Sequence, residues 1–248
     1  MHGIGGEWRA WEPVLDPLVA AGREVVAVDM PGFGGSPRLP HGEPCGPAAL
    51  AAAVADFVRA RVSDEPVDLV GHSLGGWVVL EMAKLGAART VTAVAPAGFW
   101  TPRESRFARG ALTAAHWAAR RALPVLSRAY GTPLKGPLLR QQFTHPERVP
   151  PEAARRLSEA LARSTGWGDV LDAMHRDRFR DGHAVAAPTT FVWGTDDRLI
   201  LSRQAPRGPR AVPGARLAMV PETGHFPHWE DPDAVVAAVL ERAGGGAG

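Results

Sequence analysis

Residues 69–76 read Leu-Val-Gly-His-Ser-Leu-Gly-Gly, and within them Gly71-His72-Ser73-Leu74-Gly75 has the spacing of a nucleophile elbow, G-x-S-x-G. The run Val67-Asp68-Leu69-Val70 before it suits a buried strand, and Trp77–Ala83 after it suits a helix with Gly86 as its stop. A strand that turns this tightly into a helix holds its serine in a strained conformation with the hydroxyl exposed above the strand end. Glycines at 71 and 75 relieve the crowding, and Gly76 lets the helix approach the sheet. The Leu74 N–H, in the first turn of that helix, points to where a carbonyl oxygen would become negative.

A serine hydroxyl is a weak nucleophile until a base takes its proton, and that base is usually a histidine held by a carboxylate. Nine histidines compete. His225 follows the strand-like run Arg216–Val220 through Pro221-Glu222-Thr223-Gly224, which places it in a loop at a strand's carboxyl end, where a doubly wound fold gathers its functional groups. His228, three residues on, is the alternative base. His72 adjoins Ser73, but side chains diverge at a tight turn, and histidines 116, 145, 175 and 183 read as surface. For the acid, Val192-Trp193-Gly194-Thr195-Asp196-Asp197-Arg198 ends a strand in a turn with two carboxylates. Asp197 is the choice, with Asp196 read as a turn residue bonding its own backbone.

These residues need a frame. Strand-like runs alternate with helical ones, the pattern of a mostly parallel, doubly wound sheet covered on both faces. Glu24–Asp29 reads as a strand, Pro47–Val62 as an amphipathic helix, Thr90–Ala95, Thr189–Trp193 and Arg216–Val220 as further strands, and Asp233–Arg242 as a closing helix. Between about Thr101 and Gly182 the β-branched runs stop, arginines multiply and prolines punctuate helical stretches. This segment reads as an inserted helical lid (101–182) between two parts of one α/β core (1–100 and 183–248). The Gly244–Gly248 tail reads as disordered.

The 248 residues suffice for one α/β domain with an insertion, and 45% apolar with 22% charged residues is ordinary for a globular chain. No run approaches the roughly 18 apolar residues of a membrane helix, and no signal peptide opens the chain. Cys45 is the sole cysteine, so no intrachain disulfide can form, which suits the cytoplasm. Formal charge is +2, with Lys84 and Lys135 the only lysines; the arginine bias does not require a nucleic-acid partner. Residues 101–180 hold 14 Arg and one Lys against four Glu and three Asp, which reads as a solvated helical surface or as a field steering anionic substrates. The sequence leaves oligomeric state open.

The chain resembles the α/β-hydrolase fold family in its lidded, esterase-like branch. The resemblance rests on His2-Gly3-Ile4-Gly5-Gly6, Asp29-Met30-Pro31-Gly32-Phe33-Gly34-Gly35-Ser36, the Gly-His-Ser-Leu-Gly-Gly elbow, Trp193-Gly194-Thr195-Asp196-Asp197 and Gly224-His225-Phe226, in that order. It implies a Ser73–Asp197–His225 triad, with the Ile4 N–H as a second oxyanion donor beside that of Leu74. The activity expected is hydrolysis of a small, largely apolar carboxylic ester, without metal or organic cofactor. Alternatives are carbon–carbon cleavage of a diketone acid by the same triad, acyl transfer, or a non-catalytic small-molecule binding module. A serine at the elbow argues against the related dehalogenases and epoxide hydrolases, which place Asp there. Phe33, Phe99, Trp100, Trp117 and Trp167 are candidate pocket walls, or else packing.

The resemblance also implies three strands ahead of His2, on the order of 25 residues, that this sequence lacks. One of them would lie between the strand ending at Asp29 and the one ending at Gly71. The expectation is a gap flanked by two unpaired edges, a frayed terminus at Ile4, and a natural start upstream of Met1.

Overall fold

The structure is a computed structural model that describes residues 1–40 and 42–244, with backbone alone for 242–244. The expectation of a disordered tail falls, beyond Gly244, outside the described residues. In chain order the elements are α1 (Glu12–Ala20), α2 (Pro47–Arg61), β1 (Val67–His72), α3 (Leu74–Lys84), β2 (Ala88–Val94), α4 (Pro102–Ala129), α5 (Lys135–Leu139), α6 (Pro151–Arg163), α7 (Trp167–Arg176), β3 (Thr189–Gly194), α8 (Arg207–Ala211), β4 (Arg216–Val220), α9 (Pro227–Glu230) and α10 (Pro232–Gly244).

Among the described residues four strands form one parallel sheet in the order β1-β2-β3-β4, with Leu69 opposite Val91, Thr92 opposite Thr190 and Phe191 opposite Leu217. Because strand side chains alternate between faces, each strand feeds two cores. Leu69, Val91, Phe191 and Trp193 join α2 and α3 on one face, while Val94, Val192 and Val220 join Trp11, Val14 and Leu18 near α1 and Val235 and Val239 of α10 on the other. This is an α/β-hydrolase-type arrangement, a parallel sheet flanked by helices on both faces.

Glu24–Asp29 corrects the sequence reading. Its β-branched composition suits a strand, yet it forms none, because a strand exists only through a hydrogen-bonded neighbour and no strand of the sheet reaches it. Between this segment and β1 runs a groove of about 540 Å³, walled by Val25, Val28, Val58, Leu69, Val70 and Val235 among others. The anticipated gap is therefore present. The terminus beside it does not fray: the Met1 amine donates to Val70 O at 2.6 Å, and Met1 O and His2 O accept from His72 N–H and Gly75 N–H at 3.0 and 3.1 Å. Burial pushes the Met1 amine down to about 5.

Between β2 and β3 the labelled elements are the helices α4–α7. Thr101 opens α4 with a capping box, its hydroxyl accepting from Glu104 N–H while the Glu104 carboxylate accepts from Thr101 N–H. The helix kinks at Ala122, two residues before Pro124, where the proline ring disrupts the preceding turn.

Candidate active site

Ser73 joins β1 to α3 with φ 54° and ψ −114°, a positive φ that a non-glycine residue adopts only when its surroundings enforce it. They do: Ser73 N–H donates to Val94 O at 2.9 Å, and Ser73 O accepts from Trp77 and Ala97 N–H at 3.2 and 3.0 Å. The glycines flanking it are needed for close approach. A Cβ on Gly71 would collide with Gly75 O, and one on Gly76 would lie 2.8 Å from the Pro96 Cβ.

His225 and Asp197 come from separate loops after β4 and β3 and meet at 2.8 Å, His225 Nδ1 to Asp197 Oδ2, both almost wholly buried. The other carboxylate oxygen, Oδ1, accepts from Leu199 and Ile200 N–H, each at 2.9 Å, which locks the carboxylate plane. Asp196 stands half-buried within the turn that Asp197 N–H closes onto Gly194 O at 3.4 Å, and its own N–H donates to Thr223 O. His225 and Ser73 both open onto a cavity of about 170 Å³, and Ile4 lines it as well. Leu74 is buried in the core with its N–H in the first residue of α3.

His72, set aside at the sequence level because it diverges from Ser73, packs behind His225. Its Nε2–H donates to His225 O at 2.8 Å, and its ring centroid is 4.6 Å from that of His225 and 4.7 Å from that of His228. Burial, then the neighbouring His225 and His228, holds His72 well below the usual imidazole range. Burial likewise pushes His228 down to about 3. His72 beside His225, and His228 beside His72, thus pack behind the imidazole that bonds Asp197. His228, the alternative base in the sequence, has no carboxylate partner among the described residues and stacks on Trp11 at 4.7 Å.

None of the five aromatic residues expected to wall the pocket lines this cavity. Phe33 meets His2 edge-on at 5.6 Å, Phe99 meets Phe191 edge-on at 5.5 Å, Trp100 stacks on His175 at 4.9 Å, and Trp167 stacks on His116 at 4.4 Å. Trp117 is 61% exposed. A ring already paired with another ring is packing, not a vacant wall. The walls are instead small and aliphatic: Leu112, Ala115, Ala119 and Leu126 of α4, and Ala154, Leu157 and Leu161 of α6. Their spacing of three, four and seven is the signal that could have found them. Polar character enters through Gln142 and through Tyr130, whose hydroxyl is 2.6 Å from Ser158 Oγ. Among the described residues no lysine or arginine lines the cavity. Several basic residues of 101–182 pair elsewhere, Arg109 with Asp172 at 2.5 Å and Arg156 with Glu12 at 2.6 Å.

Among the described residues no group of three or more His, Cys, Asp or Glu is placed to hold a metal ion, and no helix is long and apolar enough to cross a membrane.

Residues 1–238 match the family model described as the alpha/beta hydrolase family. The chain belongs to the α/β-hydrolase family. Among curated relatives, it is 31% identical to a dihydrolipoyllysine-residue acetyltransferase component of the acetoin cleaving system from Cupriavidus necator, over 99% of this chain and 63% of that protein. It is 25% identical to a 2-hydroxy-6-oxononadienedioate/2-hydroxy-6-oxononatrienedioate hydrolase from Cupriavidus pinatubonensis, over 98% of this chain and 85% of that one. The chain thus spans a little over three fifths of the acetyltransferase component's length. Among solved structures, an esterase from a Rhodococcus species superposes with a TM-score of 0.76 at 22% identity, covering 99% of this chain and 89% of that one.

Proposed function

We propose that this α/β hydrolase cleaves small, largely apolar carboxylic esters through an acyl-enzyme on Ser73. The observation that carries the reading is the buried His225–Asp197 pair, with His225 and the strained Ser73 opening onto one small aliphatic cavity. In this reading His225 Nε2 takes the Ser73 proton as Oγ attacks the ester carbonyl. Asp197 holds the Nδ1–H tautomer and stabilises the imidazolium that forms. The N–H groups of Leu74 and Ile4 receive the oxyanion. His225 returns the proton to the leaving alcohol and then activates water, which releases the acid and restores the serine. The helices of 101–182 act as a lid, since this segment, through α4, α5, α6 and the turns between them, supplies more than half of the cavity-lining residues.

Carbon–carbon cleavage of a diketone acid is the second reading, favoured by the name of the Cupriavidus pinatubonensis relative. It fits the cavity less well, because a carboxylated substrate would meet no lysine or arginine along the lining. The test is labelling with a fluorophosphonate, followed by turnover of nitrophenyl esters and of a diketone acid. Modification at Ser73 with ester turnover supports the proposal. Turnover of the diketone acid alone moves it to the second reading, and product formed on an added alcohol or thiol in preference to water moves it to acyl transfer. A well-folded protein unlabelled at Ser73 overturns both enzymatic readings and leaves the binding module.

A further inference from the structure

We propose that Glu230 is a positioning residue that ties the helical insertion to the loop carrying His225, so that the insertion helps set the imidazole's place over Ser73. The inference rests on the ester-hydrolase reading. Glu230 ends α9, and its side chain is buried. Its two carboxylate oxygens reach two separate parts of the chain. Oε2 accepts from the N–H of Gly224, the residue before His225, and Oε1 accepts from the N–H of His145 in the insertion, each at 2.6 Å. Arg148 of the insertion adds a bond from Nη1 to the Glu230 backbone oxygen at 3.0 Å.

The same two segments also touch directly. The N–H of His225 donates to Gln142 O at 2.8 Å, and Gly224 packs so closely that a Cβ there would lie 2.7 Å from that oxygen. Residues 142–148 therefore hold the N–H of the proposed base directly, and through His145 they share with the N–H before it the carboxylate of Glu230. Gln142 also lines the cavity. A displacement of this segment would carry His225 with it, and an imidazole misplaced by about 1 Å costs on the order of a hundredfold in rate. A carboxylate suits the junction because it offers acceptors to two N–H groups at once. A glutamine would turn its own NH₂ toward one of them.

The experiment compares wild type with Glu230→Gln and Gly224→Ala, whose new Cβ pushes Gln142 away. Three readouts are taken on folded protein: the rate of fluorophosphonate labelling at Ser73, kcat and KM for a short nitrophenyl ester, and the downfield proton resonance of His225 Nδ1–H. Labelling and kcat are expected to fall on the order of a hundredfold in both variants, with KM nearly constant and the resonance displaced. Combined, the two substitutions are expected to cost less than the product of their separate effects, since they break one junction. Labelling and kcat at the wild-type rate in folded Glu230→Gln, with only a lower Tm, overturn the inference, as does an unperturbed Gly224→Ala should Glu230→Gln not fold. A wild type that is not labelled at Ser73 counts against the ester-hydrolase reading instead.

Discussion

Asp197 offers His225 one oxygen and gives the other to its own loop: Oδ2 bonds the imidazole at 2.8 Å, while Oδ1 is taken by Leu199 and Ile200 N–H. The division makes Asp197→Asn a sharp test. An asparagine can keep its oxygen on the two backbone donors, so the loop need not move. Its NH₂ then faces Nδ1 and forces the proton onto Nε2, where the imidazole can no longer accept from Ser73. The expected loss is about 10⁴ in kcat with little change in Tm, measured on a nitrophenyl ester and by thermal unfolding. A loss under tenfold would show that the pair is structural.

Cavity size sets the next expectation. A space of about 170 Å³ is close to the roughly 150 Å³ cavity that accommodates benzene. Acetyl and butyryl esters should therefore turn over faster than octanoyl or longer ones, with the difference appearing in kcat/KM. Ala119→Leu, which narrows the wall supplied by α4, should steepen that preference. Trp117→Ala should alter neither turnover nor stability by more than about 0.5 kcal/mol, because that side chain is exposed. A chain-length series on the three proteins checks all of this together.

Why some of this could be read along the chain and some could not is a matter of range. The elbow is legible because its constraints are local: Gly71 and Gly76 answer to atoms a few residues away or in the adjoining strand end. Asp197 and His225 stand at strand ends, and strand ends converge in a parallel sheet, so their loops identify them. Phe99 and Trp167 stay open between pocket wall and packing in the sequence, because whether a ring faces a cavity or another ring is decided by distant partners, Phe191 and His116. Glu230 went unnoticed for the same reason, its acceptors serving an amide six residues away and another 85 away. Glu24–Asp29 shows the reverse failure. Its composition is that of a strand, but composition cannot supply a neighbour.

The base of the insertion rests on Glu104, whose carboxylate is 4% exposed and gripped by two arginines. Burial works to raise its carboxyl, but Arg207, the Thr101 amide and Arg203 outweigh it and hold the group well below the usual carboxylate range. Arg207 is bonded at 2.6 and 3.2 Å and also donates to Phe99 O at 2.7 Å, whereas Arg203 makes one bond at 2.8 Å and is 68% exposed. Arg207→Ala should cost about 2 kcal/mol and Arg203→Ala under about 1 kcal/mol, by urea unfolding. Because the carboxyl is depressed on folding, its contribution is present above about pH 4.5 and fades as the pH falls below it. A cost under about 0.5 kcal/mol from each substitution would show that Glu104 is held by its cap alone.

Buried histidines give the clearest dependence on pH. Burial lowers His2 to about 4 and His228 to about 3, from an ordinary 6.5. Between those values and 6.5 the unfolded chain binds protons that the native one refuses, so stability declines as the pH falls through that window. The slope reaches about 1.4 kcal/mol per pH unit for each group, and the decline flattens below about pH 3. His228 is also costly at neutral pH, for neither ring nitrogen has a partner among the described residues while the ring lies flat against Trp11. His228→Phe keeps the stacking and removes both orphaned nitrogens. It should raise stability by about 1–3 kcal/mol at pH 7 and make the acid decline shallower by one group's share. Urea midpoints at pH 7, 5.5 and 4 decide it. A variant less stable than wild type at pH 7 would mean that one of those nitrogens is bonded after all, most simply to a buried water.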